Sequence, residues 1–216
     1  MCFAVNMSGS ICNGPFDNSC TECTTLPDRQ DSVCRDDGVS WGSCCQNFAD
    51  MKELAMVLAM VFGNLPGDND FSVVQFASYA RIVTELSSTG TAVVAIGSLT
   101  YTGGLDNHAS GIEMCQQTLL SSSKSKKIIL LVTDGEAGRP YDIPKGAAES
   151  AAESAKNDGV IIVPVLVSPD PPDTDENAIT FLSQLSNDGE VFDFTGRGAL
   201  SIGQVNDRLI GQISCY

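Results

Sequence analysis

Lys126-Lys127-Ile128-Ile129-Leu130-Leu131-Val132-Thr133-Asp134-Gly135-Glu136 is the stretch from which the fold can be read. Five consecutive apolar residues, Ile128 to Val132, are too continuous for a sheet with one wet face. They predict a parallel strand buried on both sides. The strand stops at Thr133-Asp134-Gly135, which sets a carboxylate and a turn at its carboxyl end, where open α/β sheets place their ligand sites. Asp134 is therefore the first candidate functional residue, although an Asp-Gly at a strand end also serves as an ordinary turn.

Composition narrows the class. A chain of 216 residues with 43% apolar content suits one α/β domain spanning 1–216. The formal charge of −15 leaves no basic patch for phosphates, which argues against a nucleic-acid partner, and cations or basic surfaces fit better. Nine cysteines, six of them between Cys12 and Cys45, suggest a disulfide framework and a secreted, extracellular setting. No apolar run approaches the roughly 20 residues of a membrane span. The opening Met1-Cys2-Phe3-Ala4-Val5 reads as a strand, not a signal peptide, as in a mature domain or an excerpt lacking its targeting segment.

Taken in order, Cys2–Val5 predicts the first strand, ending in the hydroxyl-rich turn Asn6-Met7-Ser8-Gly9-Ser10. Residues 12–45 then form a Cys-rich insertion, with Cys12, Cys20, Cys23, Cys34, Cys44 and Cys45 expected to pair among themselves. Six cysteines allow 15 pairings, and each bridge could contribute about 2–4 kcal/mol. A zinc knuckle on Cys20-x-x-Cys23 is disfavoured, because adjacent Cys44-Cys45 has the wrong spacing for tetrahedral ligation. The stripe Met51, Leu54, Ala55, Leu58, Ala59, Phe62 predicts a helix over 50–64. Phe71–Ala77 and Arg81–Leu86 read as an antiparallel edge hairpin. A short helix over 91–96, a Gly-rich loop over 100–108 and a helix over 107–120 follow, the last placing Cys115 inward as a free thiol.

Beyond the central strand come a helix over 147–158, a buried strand over 160–167 whose Pro164 requires an edge or bulge, and a Pro/Asp loop. That loop lacks the glycine and glutamate of a calcium loop, since Ala178 and Gln184 stand at those places. A helix over 176–185, a strand over 190–194 and a helix around Ile202–Ile213 complete the pattern. Cys2 and Cys215, near the two ends, are expected to bridge if both termini flank one end of the sheet.

This order of elements predicts a doubly wound, mostly parallel six-stranded sheet, order 3-2-1-4-5-6, with one antiparallel edge strand. The strands ending at Asn6 and Asp134 are then neighbours. Their turns offer Asn6, Ser8, Ser10, Asp106 and Asp134, all oxygen donors, which select a hard divalent cation: Mg²⁺, Ca²⁺ or Mn²⁺. Ser8 and Ser10 also suit a turn, and Asp106 also suits the N-cap of the following helix.

On these residues the chain resembles the von Willebrand factor type A domain, with its metal-ion-dependent adhesion site. The family's Asp-x-Ser-x-Ser appears as Asn6-Met7-Ser8-Gly9-Ser10, and its apolar strand ending in Thr-Asp-Gly as Leu131-Val132-Thr133-Asp134-Gly135. The frame Tyr101-x-Gly103-Gly104 sets Asp106 where the family has a metal-binding threonine; Thr102 is the alternative donor. The likeness runs from end to end except for the insertion. Asn6 thus replaces a carboxylate and Asp106 a hydroxyl, so the site keeps two carboxylates, one of them on a different wall.

The resemblance implies a non-enzymatic extracellular module that takes a protein or glycan ligand, an acidic group of which completes the metal shell. The alternative is a structural matrix module, with the metal absent or only structural and the insertion making the contacts. A hydrolase on Ser8 or Ser10 would have to use His108 as base and lacks a Gly-x-Ser-x-Gly elbow. Asn6-Met7-Ser8 is also the chain's one glycosylation sequon, at a strand end expected to be inaccessible.

Overall fold

Cys2 to Asn6 form a strand, β1, in which every side chain is buried. The computed structural model that contains it describes residues 1–8, 44–100, 102, 104–135, 145–168 and 176–195. Side chains alternate across a strand. Phe3 and Val5 accordingly enter one hydrophobic core and Cys2 and Ala4 the other. The remaining strands are β2 (Phe71–Phe76), β3 (Ala80–Ser87), β4 (Lys127–Thr133), β5 (Val160–Ser168) and β6 (Phe192–Thr195). Their order is β3-β2-β1-β4-β5-β6, parallel throughout except for the antiparallel β2–β3 pair.

The helices among the described residues are α1 (Cys44–Gly63), α2 (Thr89–Gly97), α3 (His108–Leu120), α4 (Lys145–Asn157) and α5 (Glu176–Leu185). The apolar faces of α1 and α2 line one core, and those of α3, α4 and α5 line the other. β4 serves both: Ile128, Leu130 and Val132 face the first core, Ile129 and Leu131 the second. The double-sided burial expected of this strand, and the doubly wound topology expected of the chain, are both present.

Element boundaries shift where packing extends a pattern. α1 begins at Cys44 instead of Asp50, because Phe48 carries the buried stripe one turn back from Met51. β6 begins at Phe192, and its first pair with β5 is Val165↔Phe192. Pro164 thus lies one residue before the β5–β6 ladder starts, which gives it the edge-like position its missing N–H requires. On the true edge, β3 is largely half-exposed, and Arg81 donates from Nη2 to Gln75 Oε1 at 3.0 Å. A charge of this kind blunts a sheet edge against further pairing.

The pairing of cysteines differs from the reading of the sequence. Cys2 is bonded to Cys115, with a Cα–Cα distance of 5.7 Å, so Cys115 is not a free thiol and the expected Cys2–Cys215 bridge is replaced. The cause is parity. Position 2 of β1 faces the core lined by α3, and Cys115 lies on the buried stripe of α3 with Ile112 and Leu119. Cys215, the 12–45 insertion up to Ser43 and the helix expected around Ile202–Ile213 lie outside the described residues. Seven cysteines remain, an odd number that cannot pair completely within the 216 residues.

The Cys2–Cys115 bridge closes a sequence separation of 113 residues and fastens α3 to the central strand. Replacing both residues by alanine is expected to lower the unfolding free energy by about 2–5 kcal/mol. Urea denaturation of the double variant checks this; a midpoint equal to that of the wild type would contradict it.

Candidate metal centre

Parallel pairing fixes which strand ends meet. With Val5 opposite Val132 and Asn6 opposite Phe76, β1 ends between β2 and β4, and Asn6 emerges beside Thr133 and Asp134. Past the last residue of β1, Met7 N–H still donates to Phe76 O at 2.7 Å, which keeps the turn against the sheet. Asn6, Ser8, Asp106, His108 and Thr133 are all buried there, and Asp134 is half-buried.

The Asn6 side chain is the hub. Its two Nδ2 hydrogens serve Asp106 Oδ1 at 2.6 Å and Asp134 Oδ1 at 2.9 Å, with Thr133 Oγ1 as a more distant third acceptor at 3.2 Å. Its Oδ1 accepts from Ser8 N–H at 2.9 Å. The neighbours dictate this orientation. A flipped amide would set an oxygen against a carboxylate and a donor against the Ser8 N–H. Asn6 therefore turns its nitrogen, not its oxygen, toward the carboxylates, which differs from the oxygen-donor role expected of it.

Asp106 reaches the site because another residue caps the helix. The N-cap of α3 is Asn107, whose side chain accepts from Ser110 N–H at 3.0 Å. This removes the capping role that Asp106 also suited and leaves its carboxylate to face Asn6. The β2–β3 turn holds the loop from outside: Ser78 Oγ accepts from Leu105 N–H at 2.9 Å, and Ser78 O accepts from Asn107 Nδ2 at 3.1 Å. Asn107 N–H donates to Ala77 O at 3.1 Å. Gly111 allows α3 to lie on β2, since a Cβ there would stand 2.7 Å from the Phe76 ring. At the loop's start, Lys52 on α1 donates to Leu99 O at 3.0 Å; burial lowers its pKa from the ordinary lysine value.

Beneath the carboxylates, Thr133 Oγ1 accepts from Gly135 N–H and from Asn6 Nδ2, both at 3.2 Å, and lies 3.0 Å from His108 Nε2. Thr133 Oγ1 and His108 Nε2 share a hydrogen bond whose donor depends on the imidazole tautomer. The His108 ring packs between Phe76 and Phe181, with centroids 5.4 Å from each. After Asp134 the chain turns through Gly135 at φ 93°, a conformation side chains resist, and a Cβ there would also stand 2.5 Å from Leu166.

Of the residues expected to hold a cation, Asn6, Ser8, Asp106 and Asp134 gather at this sheet end, whereas Thr102 is solvent-exposed and Ser10 lies outside the described residues. Among the described residues no group of three His, Cys, Asp or Glu side chains is placed to hold a metal. The site instead has two carboxylates converging on one amide nitrogen, with neutral oxygens around them. An oxygen-only set with two carboxylates fits a hard divalent ion, which needs charge balance at a point such as that nitrogen occupies. Burial of Asn6 also closes the sequon to modification in the folded chain. Ser78 and Asn107 carry no sequence signal for these roles, whereas Thr133 lies inside the Thr-Asp-Gly run.

Comparison with known proteins agrees with this architecture. The model of the von Willebrand factor type A domain matches residues 39–206, a span that begins after β1 and its turn. No curated protein is significantly similar to the chain. Among solved structures, proximal thread matrix protein 1 from the mussel byssus superposes with a TM-score of 0.63 at 16% identity, covering 99% of this chain and 47% of that one. The same mussel protein with a zinc-occupied metal-ion-dependent adhesion site gives 0.60 at 16% identity, over 99% and 47%. The von Willebrand factor domain of the type V pili tip protein Mfa5 from Porphyromonas gingivalis gives 0.62 at 12% identity, covering 99% and 94%. The chain spans about half the length of the mussel protein. At these identities the likeness is one of fold.

Thr133→Val would strip the hydroxyl on which Asn6, Gly135 and His108 converge and leave buried polar atoms unsatisfied. It is expected to destabilise by about 1–3 kcal/mol, and Thr133→Ser by less. Paired urea denaturation curves check this ordering; a valine variant as stable as wild type would contradict the network.

Proposed function

This chain belongs to the von Willebrand factor type A family, and on that premise we propose that it is an extracellular adhesion or ligand-binding module working through a divalent cation. One observation carries the reading: Asp106 and Asp134, from separate loops, bring carboxylate oxygens to the same point at the carboxyl end of the sheet. Asp106 and Asp134 would hold the ion, with Ser8 and Ser10 as neutral donors, and Mg²⁺ or Ca²⁺ as the ion expected of such a set. When bound, the cation would supply an electrophilic point for an acidic group of a protein or glycan partner. The residues of the chain do the rest. Thr133 and the Asn107 cap fix the two aspartate loops, and the β2–β3 turn braces the Asp106 loop from outside.

Several features support this reading. The −15 charge suits a cation-rich extracellular medium and opposes nucleic acid. Among the described residues no helix is long and apolar enough to cross a membrane. A structural neighbour is a pilus adhesin, SpaC from Lactobacillus rhamnosus GG, with a TM-score of 0.57 at 14% identity over 99% of this chain and 29% of that one. We also read the module as non-catalytic: His108 Nε2 is engaged by Thr133, so the one imidazole in the chain is not presented to a serine.

The second reading, a matrix-building module whose Cys-rich insertion makes the contacts, takes support from the mussel thread matrix protein among the neighbours. Both readings place the domain outside the cell and differ in whether the cation mediates contact.

Calorimetric titration of the whole chain with Mg²⁺, Ca²⁺, Mn²⁺ and Zn²⁺ tests the proposal. One saturable site is expected, weakened at least about 100-fold by Asp134→Ala and by Asp106→Ala, since even outer partners of a metal are worth 10–100-fold. Unaltered affinity in Asp106→Ala would return that role to Thr102. No binding of any of the four ions would overturn the reading and favour the matrix module.

A further inference from the structure

We propose that Asn6 is a built-in counter-charge: its amide bridges Asp106 and Asp134 and latches the site shut without an ion, so that a cation enters only by displacing it. Asp106 is buried and Asp134 half-buried. Two carboxylates facing one point repel strongly where water is scarce. Such a pair needs positive charge between its members or must move apart. Here a neutral amide meets both with the positive hydrogen ends of its N–H dipoles, Nδ2 lying 2.6 and 2.9 Å from the carboxylate oxygens. Hydrogen bonds to ionised acceptors are about twice as strong as neutral ones, so the bridge offsets much of that repulsion.

The amide cannot turn to offer its oxygen to an ion without losing these bonds and the one from Ser8 N–H at 2.9 Å. Competition follows. The donor set binds a cation less tightly than its two carboxylates alone would allow, and the fold stays intact when the ion is removed. Asn6 thus sets how tightly the site takes an ion and holds the two loops together without one. The latch stands on the hydrogen bonds of Asn6 itself; only the competition rests on the cation reading above.

Thermal unfolding of the whole chain in excess EDTA tests the latch. Asn6→Ala should lower the midpoint, and adding Asp106→Asn to it should restore part of the loss by relieving repulsion. Asp106→Asn alone should lower the wild-type midpoint or leave it unchanged. This change of sign separates a counter-charge from a packing role. An Asn6→Ala chain as stable as wild type, or one not improved by Asp106→Asn, would overturn the latch. If Asn6→Ala does not fold, NMR of the wild type in EDTA decides: slow solvent exchange of the Asn6 side-chain NH₂ supports the latch, and free exchange overturns it.

Calorimetry with Mg²⁺ tests the competition. Asn6→Asp, which replaces the latch with a third carboxylate, should bind on the order of tenfold more tightly or better, because ligand charge sets affinity at such sites. Equal or weaker binding would overturn the competition. If neither chain binds Mg²⁺, Ca²⁺, Mn²⁺ or Zn²⁺ while the EDTA results hold, the cation reading falls and the latch stands. If the wild type binds Mg²⁺ but the EDTA results fail, the latch falls alone.

Discussion

Asp106 and Asp134 lie on different loops, yet each accepts a hydrogen bond from one nitrogen, Asn6 Nδ2. Everything that positions this end of the molecule converges on that contact. β1 must run between β2 and β4 for Asn6 to emerge beside Thr133, and β1 can do so only because all five of its side chains are buried, some in each core. The Cys2–Cys115 bond then ties the opposite end of β1 to the middle of α3, the helix that starts two residues after Asp106. One strand is thereby registered to both loops, by hydrogen bonds at its end and by a covalent link at its beginning.

Around this contact, polar groups from separate elements divide the labour. Asn107 caps α3 and leaves Asp106 to the site. Thr133 accepts from Gly135 N–H and pairs with His108, whose ring fills the space between Phe76 and Phe181. Ser78 grips the Asp106 loop from the edge hairpin. Satisfied networks of this sort rigidify a site, because each member removed leaves others unpaired in a low-dielectric setting.

Much of this was legible in the amino-acid sequence, for identifiable reasons. The run Ile128–Val132 is apolar without alternation, and only a strand covered on both faces needs that, so the central sheet and its winding followed. Asp134 and Asp106 stand out because a strand end and a Gly-rich loop before a helix are where such folds place ligand groups, and the structure brings both to Asn6. The Cys2 partner was missed, although the parity of β1 and the Ile112–Cys115–Leu119 stripe together contain it; which face of a central strand meets which helix depends on the handedness of winding, not on local pattern. The amide orientation of Asn6 was beyond reach, since it is set by Asp106, Asp134 and Ser8 acting together across three segments. Ser78 gave no signal at all: a serine in a hairpin turn looks the same whether or not it braces a loop. The long Cys-rich stretch after Ser8 also separates β1 from the span that matches the family model, which begins at residue 39.

Anomalous diffraction from crystals of the whole chain grown with Mn²⁺ addresses the central claim most directly, because it locates an ion without assuming its ligands. A peak bounded by the carboxylates of Asp106 and Asp134, with the Asn6 amide turned away from them, is the expected result. Density with no anomalous peak and the amide still bonded to both carboxylates at saturating Mn²⁺ would contradict it.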